Sequence, residues 1–395
     1  MREKAFVAGV GMAPFGKPGA SDPYDVMAAA AVRKALDNAG LSYGAVQQAI
    51  VGYVYGDSTS GQRALYEVGM TGIPIANVNN NCSTGSTALF LARQLVESGA
   101  VDCVLALGFE QMQPGALSGQ WTDRPSPFSR FDELCDEIAP YDVPIALRYF
   151  GGAGKEYMER YGVKPNLFAR VRAKASRHAA HNPLALFRKV VSEEEVMAAP
   201  MVFPEAGMTR LMACPPTCGA AAAILVSRRF ADRMNLDSRV FIAAQAMTTD
   251  RPGTFDKRSM MALVGDDMTR EAVAQVYAQA GIGPEDLDVV ELHDCFAQNE
   301  VLIYEGLGLC PDGGAEKFIA DGDNTYGGRI VTNPSGGLLS KGHPLGATGL
   351  AQCVELVEQL RGEAGERQVA GARLGLQHNL GLGGACVVTL YQRVD

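Results

Sequence analysis

The sequence predicts an α/β chain, a duplicated, layered fold of two pseudo-symmetric halves with an inserted loop domain. Three observations predict it. β-Rich segments alternate with amphipathic helical ones, the alternation runs twice in the same order, and roughly residues 119–217 have no counterpart in the second run. Such alternation is the pattern of helices covering a mostly parallel sheet. At 395 residues, 47% hydrophobic and 20% charged, the chain can bury a large core and is more readily two packed units than one.

The first repeat pairs Ala31–Ile50 with Ala272–Val290: a helical pattern, a Gly stop, a short loop and a β-rich segment. The second aligns Thr84–Leu89 with Leu345–Leu350 and continues without a gap through Leu95–Glu97 and Leu356–Glu358. In that register Cys82 falls on His343. The third pairs Gly219–Val226 with Gly384–Tyr391, each a buried strand pattern. The N-terminal half is therefore expected over 1–245, with core 1–118 and 218–245 around the inserted domain 119–217. The C-terminal half is expected over 246–395. Arg124–Pro127 and Ala213–Pro216 are Pro-rich boundaries for the insertion.

Net charge is −9, which disfavours nucleic acid as a partner. No run approaches the roughly 18 apolar residues of a membrane span, so no membrane insertion is expected. The start lacks an apolar signal core and the C-terminus carries no peroxisomal Ser-Lys-Leu address, leaving a cytoplasmic location as the expectation. Nine scattered cysteines read as reduced thiols. Cys214 and Cys218 lack a second pair or a nearby His, so no metal is expected there. Between Arg148 and Lys189, ten Lys or Arg meet two acids, Glu156 and Glu159. That local +8 suits either an anion site or a solvated helix face.

Cys82 stands where the extended Ile75–Asn79 segment gives way to a small-residue helical one with Ala88, Leu89, Ala92, Leu95 and Val96 on one face. A helix start supplies free N–H groups and a positive dipole end, which lower a thiol pKa from about 8.5. A buried structural cysteine is the alternative, but Asn79, Asn80, Asn81, Ser83 and Thr84 surround this one with polar groups and favour a nucleophile. His343, in the matching turn Ser340–Gly346, is either its general base across a pseudo-twofold axis or a histidine satisfied within a Gly-rich turn. His293, Asp294, Cys295 and Phe296 end an apolar strand pattern, where sites of α/β folds gather, and Cys295 could there give or take a proton. Gly381–Gly384 offers bare backbone N–H groups to a ligand or simply makes a tight turn. Gly9-Val10-Gly11 is no dinucleotide fingerprint, because Pro14 replaces the last glycine.

Asn79–Gly85, His293–Phe296 and Gly342–Gly349, together with Val51–Asp57 and Gly322–Gly328, resemble the thiolase superfamily, specifically the sterol-carrier-protein type of thiolase. The resemblance extends over essentially the whole chain. It implies a thiolase-like fold, a loop domain binding coenzyme A and assembly as a homodimer or homotetramer. By resemblance, Cys82 is the acylated nucleophile, His343 its base, and Cys295 the second catalytic cysteine in place of a C-terminal Cys-x-Gly, whose matching position is Gly381. His293 helps polarise the thioester carbonyl, and the backbone N–H groups of Cys82 and Gly383 form the oxyanion hole. The implied reaction is thiolysis of a 3-oxoacyl-CoA, or the reverse condensation, with acyl-CoA and CoA as partners, CoA as co-substrate and no permanently bound cofactor. The basic segment 148–189 then has the CoA phosphates as a counterpart. Cys218 departs from the expected acidic turn residue, and sterol transfer by a fused lipid-carrier domain, as in some relatives, is not expected of this chain.

Three other readings compete. A decarboxylating condensing enzyme would also use Cys82, His293 and His343, though Cys295 argues against it. A retro-aldol lyase of steroid side-chain breakdown needs no cysteine nucleophile. A non-catalytic acyl or lipid carrier would bind without acylation.

Overall fold

The computed structural model describes residues 3–113 and 123–394. Twelve strands form: β1 Ala5–Met12, β2 Gln48–Gly52, β3 Ile75–Val78, β4 Cys103–Glu110, β5 Met201–Phe203, β6 Met208–Thr209, β7 Gly219–Ser227, β8 Val240–Thr248, β9 Val289–Glu291, β10 Val331–Thr332, β11 Leu374–Gly381 and β12 Ala385–Arg393. β1, β4 and β7 are buried along their whole length, which is why they are written as unbroken apolar runs rather than alternating ones.

Ten strands make one sheet in the order β10-β9-β11-β12-β8-β1-β7-β4-β2-β3, and β5 pairs with β6 separately. Outward from the β1/β8 seam, both halves run first, fifth, fourth, second, third strand. That shared order is the pseudo-twofold symmetry the repeats predict. The seam is thin: β1 and β8 share one register pair, Phe6 with Phe241, whose rings sit 5.8 Å apart. Each half-sheet is mixed rather than mostly parallel. β2 pairs parallel with β3 and β4, and β9 with β10 and β11, but β7 and β12 insert antiparallel. β12 can do so because the Leu382–Gly384 turn returns the chain at once.

β8 pairs with β12 along its length and opens the second half as β1 opens the first. The division expected at 245/246 therefore falls inside a strand, and we place it in the turn before Val240. The expected start of the insertion, at 118/119, lies outside the described residues.

Two helices, Thr84–Glu97 and Thr348–Arg361, lie between the half-sheets, while Tyr24–Ala39 and Asp266–Ala280 cover the outer faces. The second inner helix is buried almost all round, as a helix enclosed by two sheets must be. Glycine lets the inner pair touch. A Cβ on Gly85 would lie 2.8 Å from the Gly346 carbonyl oxygen, and one on Gly349 would lie 2.3 Å from the Ser86 nitrogen. Each glycine is the second residue of its helix, so the structural register sets Gly85 against Gly349. The sequence register, which set Gly85 on Gly346 and Cys82 on His343, is three residues off. A slip of three keeps the same helix face inward, so apolar periodicity alone cannot detect it.

The insertion, with helices Ser129–Ile138, Ile145–Tyr161 and Asn166–Ala179, packs on the second half although it interrupts the first. Phe150 stacks on Phe296 at 4.8 Å. Lys174, 2% exposed, pairs with Glu300 and donates to the Tyr304 hydroxyl at 3.0 Å and Thr332 Oγ1 at 2.6 Å. Arg172 donates to Ser340 Oγ at 2.6 Å. Much of the basic segment is thus structural. Arg148, Lys155, Arg160 and Arg170 meet Asp136, Glu159, Glu156 and Glu193, while Lys164, Arg177, Arg188 and Lys189 stay exposed.

Alanine exceeds glycine in helix propensity by about 1 kcal/mol. At this crossing the clash should reverse the sign, so Gly349→Ala is expected to cost about 1–3 kcal/mol in a urea unfolding curve.

Candidate active site

β3 delivers the chain into a turn at Asn79–Asn81. Asn81 sits at φ +51°, a left-handed conformation that Asn tolerates better than most residues. Its N–H donates to Asn79 Oδ1 at 3.0 Å, and its side-chain amide donates to the Leu382 carbonyl at 3.1 Å, tying the turn to the β11–β12 connection. Cys82 follows, half-buried, with Ser83 as N-cap residue of the first inner helix. The expected lowering of its thiol pKa is not found. Burial pushes it up to about 12, with the buried Glu110 carboxylate adding to the rise. The N–H groups of Ser83 and Thr84 are taken by the carbonyls of Asn80 and Asn81, so the helix start has little left for the sulfur.

His343 comes from the turn before the second inner helix, where Ala347 and Thr348 both donate their N–H to Pro344 O at 2.9 Å. Its Nδ1 lies 2.7 Å from Thr348 Oγ1, and that hydroxyl donates to Pro344 O at 2.9 Å. The hydroxyl proton is committed, so Nδ1 carries the imidazole proton and Nε2 is left as a lone pair. Nε2 is buried without a protein partner. Burial lowers the His343 pKa to about 3, which keeps the ring neutral.

His293, 1% exposed, has the opposite polarity. Its Nδ1 faces the side-chain amide nitrogen of Asn379 at 3.1 Å, and the same amide donates to the Cys82 carbonyl at 3.1 Å. An N–H pointing at Nδ1 makes that nitrogen the acceptor and leaves the proton on Nε2. Burial, then the neighbouring His343 and His378, hold this ring neutral too. The two rings meet edge to face at 5.0 Å, and Cys82 Sγ with one nitrogen of each lies within 4.8 Å of the others.

Among the described residues these three are also the one His, Cys, Asp or Glu group close enough to hold a metal ion. A metal-bound His donates its other ring N–H to an acceptor. His293 Nδ1 instead faces a donor, so the surroundings suit a ring that gives a hydrogen bond to a ligand.

Cys295 is buried beside them. Burial pushes its thiol well above the usual range, with the charges of Cys214 and Cys82 next in effect. Cys214, missed as a neighbour of the site, donates its N–H to the Cys295 carbonyl at 2.9 Å, and Ala213 bridges Phe296. Pro216 runs beside His343, so the Pro-rich end of the insertion forms one wall. The glycine turn is only partly as expected. Gly383, at φ +89°, is exposed at the tip near Phe128, whereas Gly381 is the glycine against the turn before Cys82, where a Cβ would lie 2.3 Å from Asn80 O. The side chain that fills the space between Cys82 and His293 is Asn379, two residues before the position matched by resemblance.

Glu110 is a second residue the sequence did not reveal. Fully buried, it accepts N–H bonds from Tyr55 at 2.9 Å, Val54 at 3.1 Å and Gly346 at 3.0 Å, joining the loop after β2 to the turn that carries His343. Burial pushes its carboxyl up to about 7.

Comparison with known proteins agrees with this architecture. Residues 5–192 match the family model for the thiolase N-terminal domain, and residues 254–391 match the thiolase C-terminal domain-like model. The chain is 55% identical to sterol carrier protein 2 of Homo sapiens over 98% of its own length and 72% of that protein. It is 33% identical to a benzoylsuccinyl-CoA thiolase subunit of Thauera aromatica, covering 97% of this chain and 96% of that one. Among solved structures it superposes on the Ltp2-ChsH2(DUF35) aldolase with a TM-score of 0.83 at 22% identity, covering 99% and 98% of the chains. It superposes on human mitochondrial 3-ketoacyl-CoA thiolase with a TM-score of 0.73 at 17% identity, covering 100% and 99%. The chain belongs to the thiolase family, in its sterol-carrier-protein-type branch. Its relatives support acyl-CoA chemistry of the thiolase type. No helix among the described residues is long and apolar enough to cross a membrane.

Glu110 gives this site a pH signature. Its folded pKa, about 7, lies above the ordinary 4.5, so its contribution is fully present below about pH 4.5 and lost as pH rises through 7. Thermal melts should show wild type losing roughly 3 kcal/mol relative to Glu110→Gln between pH 5 and 8. A constant difference would place the carboxylate in contact with water.

Proposed function

We propose that this chain cleaves a 3-oxoacyl-CoA by thiolysis through an acyl-Cys82 intermediate, or runs the reverse Claisen condensation. The observation that carries the reading is the opposed polarity of two neutral imidazoles around one sulfur. His343 presents a lone pair, His293 presents an N–H, and Cys82 Sγ lies within 4.8 Å of one nitrogen of each ring.

A thiol at about 12 beside an imidazole at about 3 does not rest as an ion pair. The proton therefore moves from Cys82 to His343 Nε2 as sulfur bonds to the keto carbon. Backbone N–H groups of Cys82 and of the Gly381–Gly384 turn, Gly383 being the sequence candidate, hold the resulting oxyanion. Collapse breaks the C2–C3 bond, and its electron pair becomes an enolate whose thioester oxygen accepts from His293 Nε2–H. The Cys295 thiol protonates C2, and the C1–C2 unit leaves as acetyl-CoA while the shortened acyl chain stays on Cys82. The CoA thiol next gives its proton to the Cys295 thiolate and attacks the acyl group, and Cys82 recovers its proton from His343. Atoms balance: one 3-oxoacyl-CoA and one CoA become two acyl-CoA molecules.

Polarity also weighs among the competing readings. A decarboxylating site needs donors for the enolate of a malonyl thioester, and Thr348 makes His343 an acceptor. The lyase needs no nucleophile, yet Cys82 sits in a pocket built around a proton acceptor. For the CoA phosphates, the exposed cations of the segment are Lys164, Arg177, Arg188 and Lys189, the last 3.8 Å from Glu195. For assembly, β3 is an open sheet edge, with Met70 and Tyr66 exposed nearby, and we place the homodimer contact there.

Incubation with acetoacetyl-CoA or longer 3-oxoacyl-CoA and CoA should give two acyl-CoA products and, in mass spectra taken without CoA, an acyl group on Cys82. Cys82→Ala should remove both. Failure of adduct and cleavage across chain lengths would sink the reading. Thr348→Val should lower kcat about 10²-fold by releasing the His343 tautomer, with KM little changed. An unaltered kcat would show that Thr348 does not set the base.

A further inference from the structure

We infer that Asn379 is a positioning residue, which, through a buried chain of amides and a hydroxyl drawn from both halves, locks His293 in the tautomer that carries its proton on Nε2. For its catalytic meaning this rests on the thiolysis reading; for the tautomer itself it does not.

The chain begins on groups whose roles are fixed. Gln377 Nε2 donates to the Gly349 carbonyl at 2.7 Å, which can only accept, and Gln377 Oε1 accepts from the Tyr391 hydroxyl at 2.5 Å. The orientation of that amide is therefore settled. The same Nε2 donates to Ser86 Oγ at 2.7 Å, leaving the serine proton for Asn379 Oδ1, 2.8 Å away. With its oxygen so engaged, Asn379 aims both amide protons at the site, one at the Cys82 carbonyl and one at His293 Nδ1, each at 3.1 Å. Gln377, Asn379, Ser86 and Tyr391 are all fully buried, so no water competes for these bonds.

Every member is needed for the outcome. A flipped Asn379 would set its oxygen against the Cys82 carbonyl and its nitrogen towards the Ser86 proton. Gly349 is the second fixed point, since the approach of the inner helices that it permits also places its carbonyl within reach of Gln377. The chain thus links the helix crossing to the proton of an imidazole, and it holds the nucleophile's own peptide by the Cys82 carbonyl.

A ligand-free measurement tests this. The protein has five histidines, so a two-dimensional proton–nitrogen spectrum of histidine-labelled protein, with His293 assigned by His293→Gln, can separate them. The expected result is a neutral His293 with its proton on Nε2. Asn379→Asp replaces the donor with a carboxylate, which should move the proton to Nδ1 or protonate the ring. In that variant kcat should fall about 10- to 100-fold, the range such outer hydrogen-bond partners command, with KM changed less and a new ionisation in the pH–rate profile. Should Asn379→Asp not fold, Ser86→Ala, which frees Asn379 to flip, should give a mixture of His293 tautomers.

A wild-type His293 protonated on Nδ1, or an Asn379→Asp enzyme with wild-type tautomer and pH profile, overturns the proposal whatever reaction is catalysed. Absence of thiolysis together with an Nε2–H His293 would defeat the functional reading and leave the positioning role standing.

Discussion

The structure depends on the backbone contact between the two inner helices at Gly85 and Gly349. Two half-sheets joined through a single β1/β8 pair would have little to fix their relation. Where side chains are absent the inner helices approach to backbone distance, and the turns that precede them are forced together. Cys82 leads into one helix and His343 into the other. This contact brings the nucleophile and base candidates, distant in sequence, close together.

Dense packing around that crossing sets the electrostatics. Desolvation opposes charge on every group of the site, raising the thiols of Cys82 and Cys295 and the carboxyl of Glu110 and lowering both imidazoles. On the thiolysis reading a neutral resting site has a chemical use: an uncharged thiol stays unreactive until a keto carbonyl arrives to receive its electron pair. The helix start, invoked from the sequence as the source of an activated thiolate, is outweighed because the N–H groups of Ser83 and Thr84 are already bonded and burial disfavours the thiolate.

The insertion completes the enclosure from outside the symmetric core. Its helices carry charge, but Arg172 and Lys174 turn inward and anchor it to the second half beneath Cys295 and His343, through Ser340 and the Glu300, Tyr304 and Thr332 cluster. Its Pro-rich exit lays Cys214 and Pro216 along the site. A count of charges along the chain could not separate these anchors from the exposed Lys164, Arg177, Arg188 and Lys189, because their partners, Ser340 and Glu300, lie on distant segments.

The sequence by itself determined the α/β layering and the duplication, and it singled out Cys82, His293, Cys295 and His343 as candidates, because periodicity, repeat order and residue chemistry are local properties that survive in one dimension. It could not fix the helix register, since a shift of three residues leaves the same face buried. Only the tertiary structure decided which thiols are desolvated, that β8 pairs along its length with β12, and that the Asn379 amide donates to the Cys82 carbonyl. It also set Thr348 against His343 Nδ1 and the Asn379 amide against His293 Nδ1. Those properties belong to pairs of groups apart in the sequence, and a hydrogen bond or a loss of water exists only once folding has brought both partners to one place.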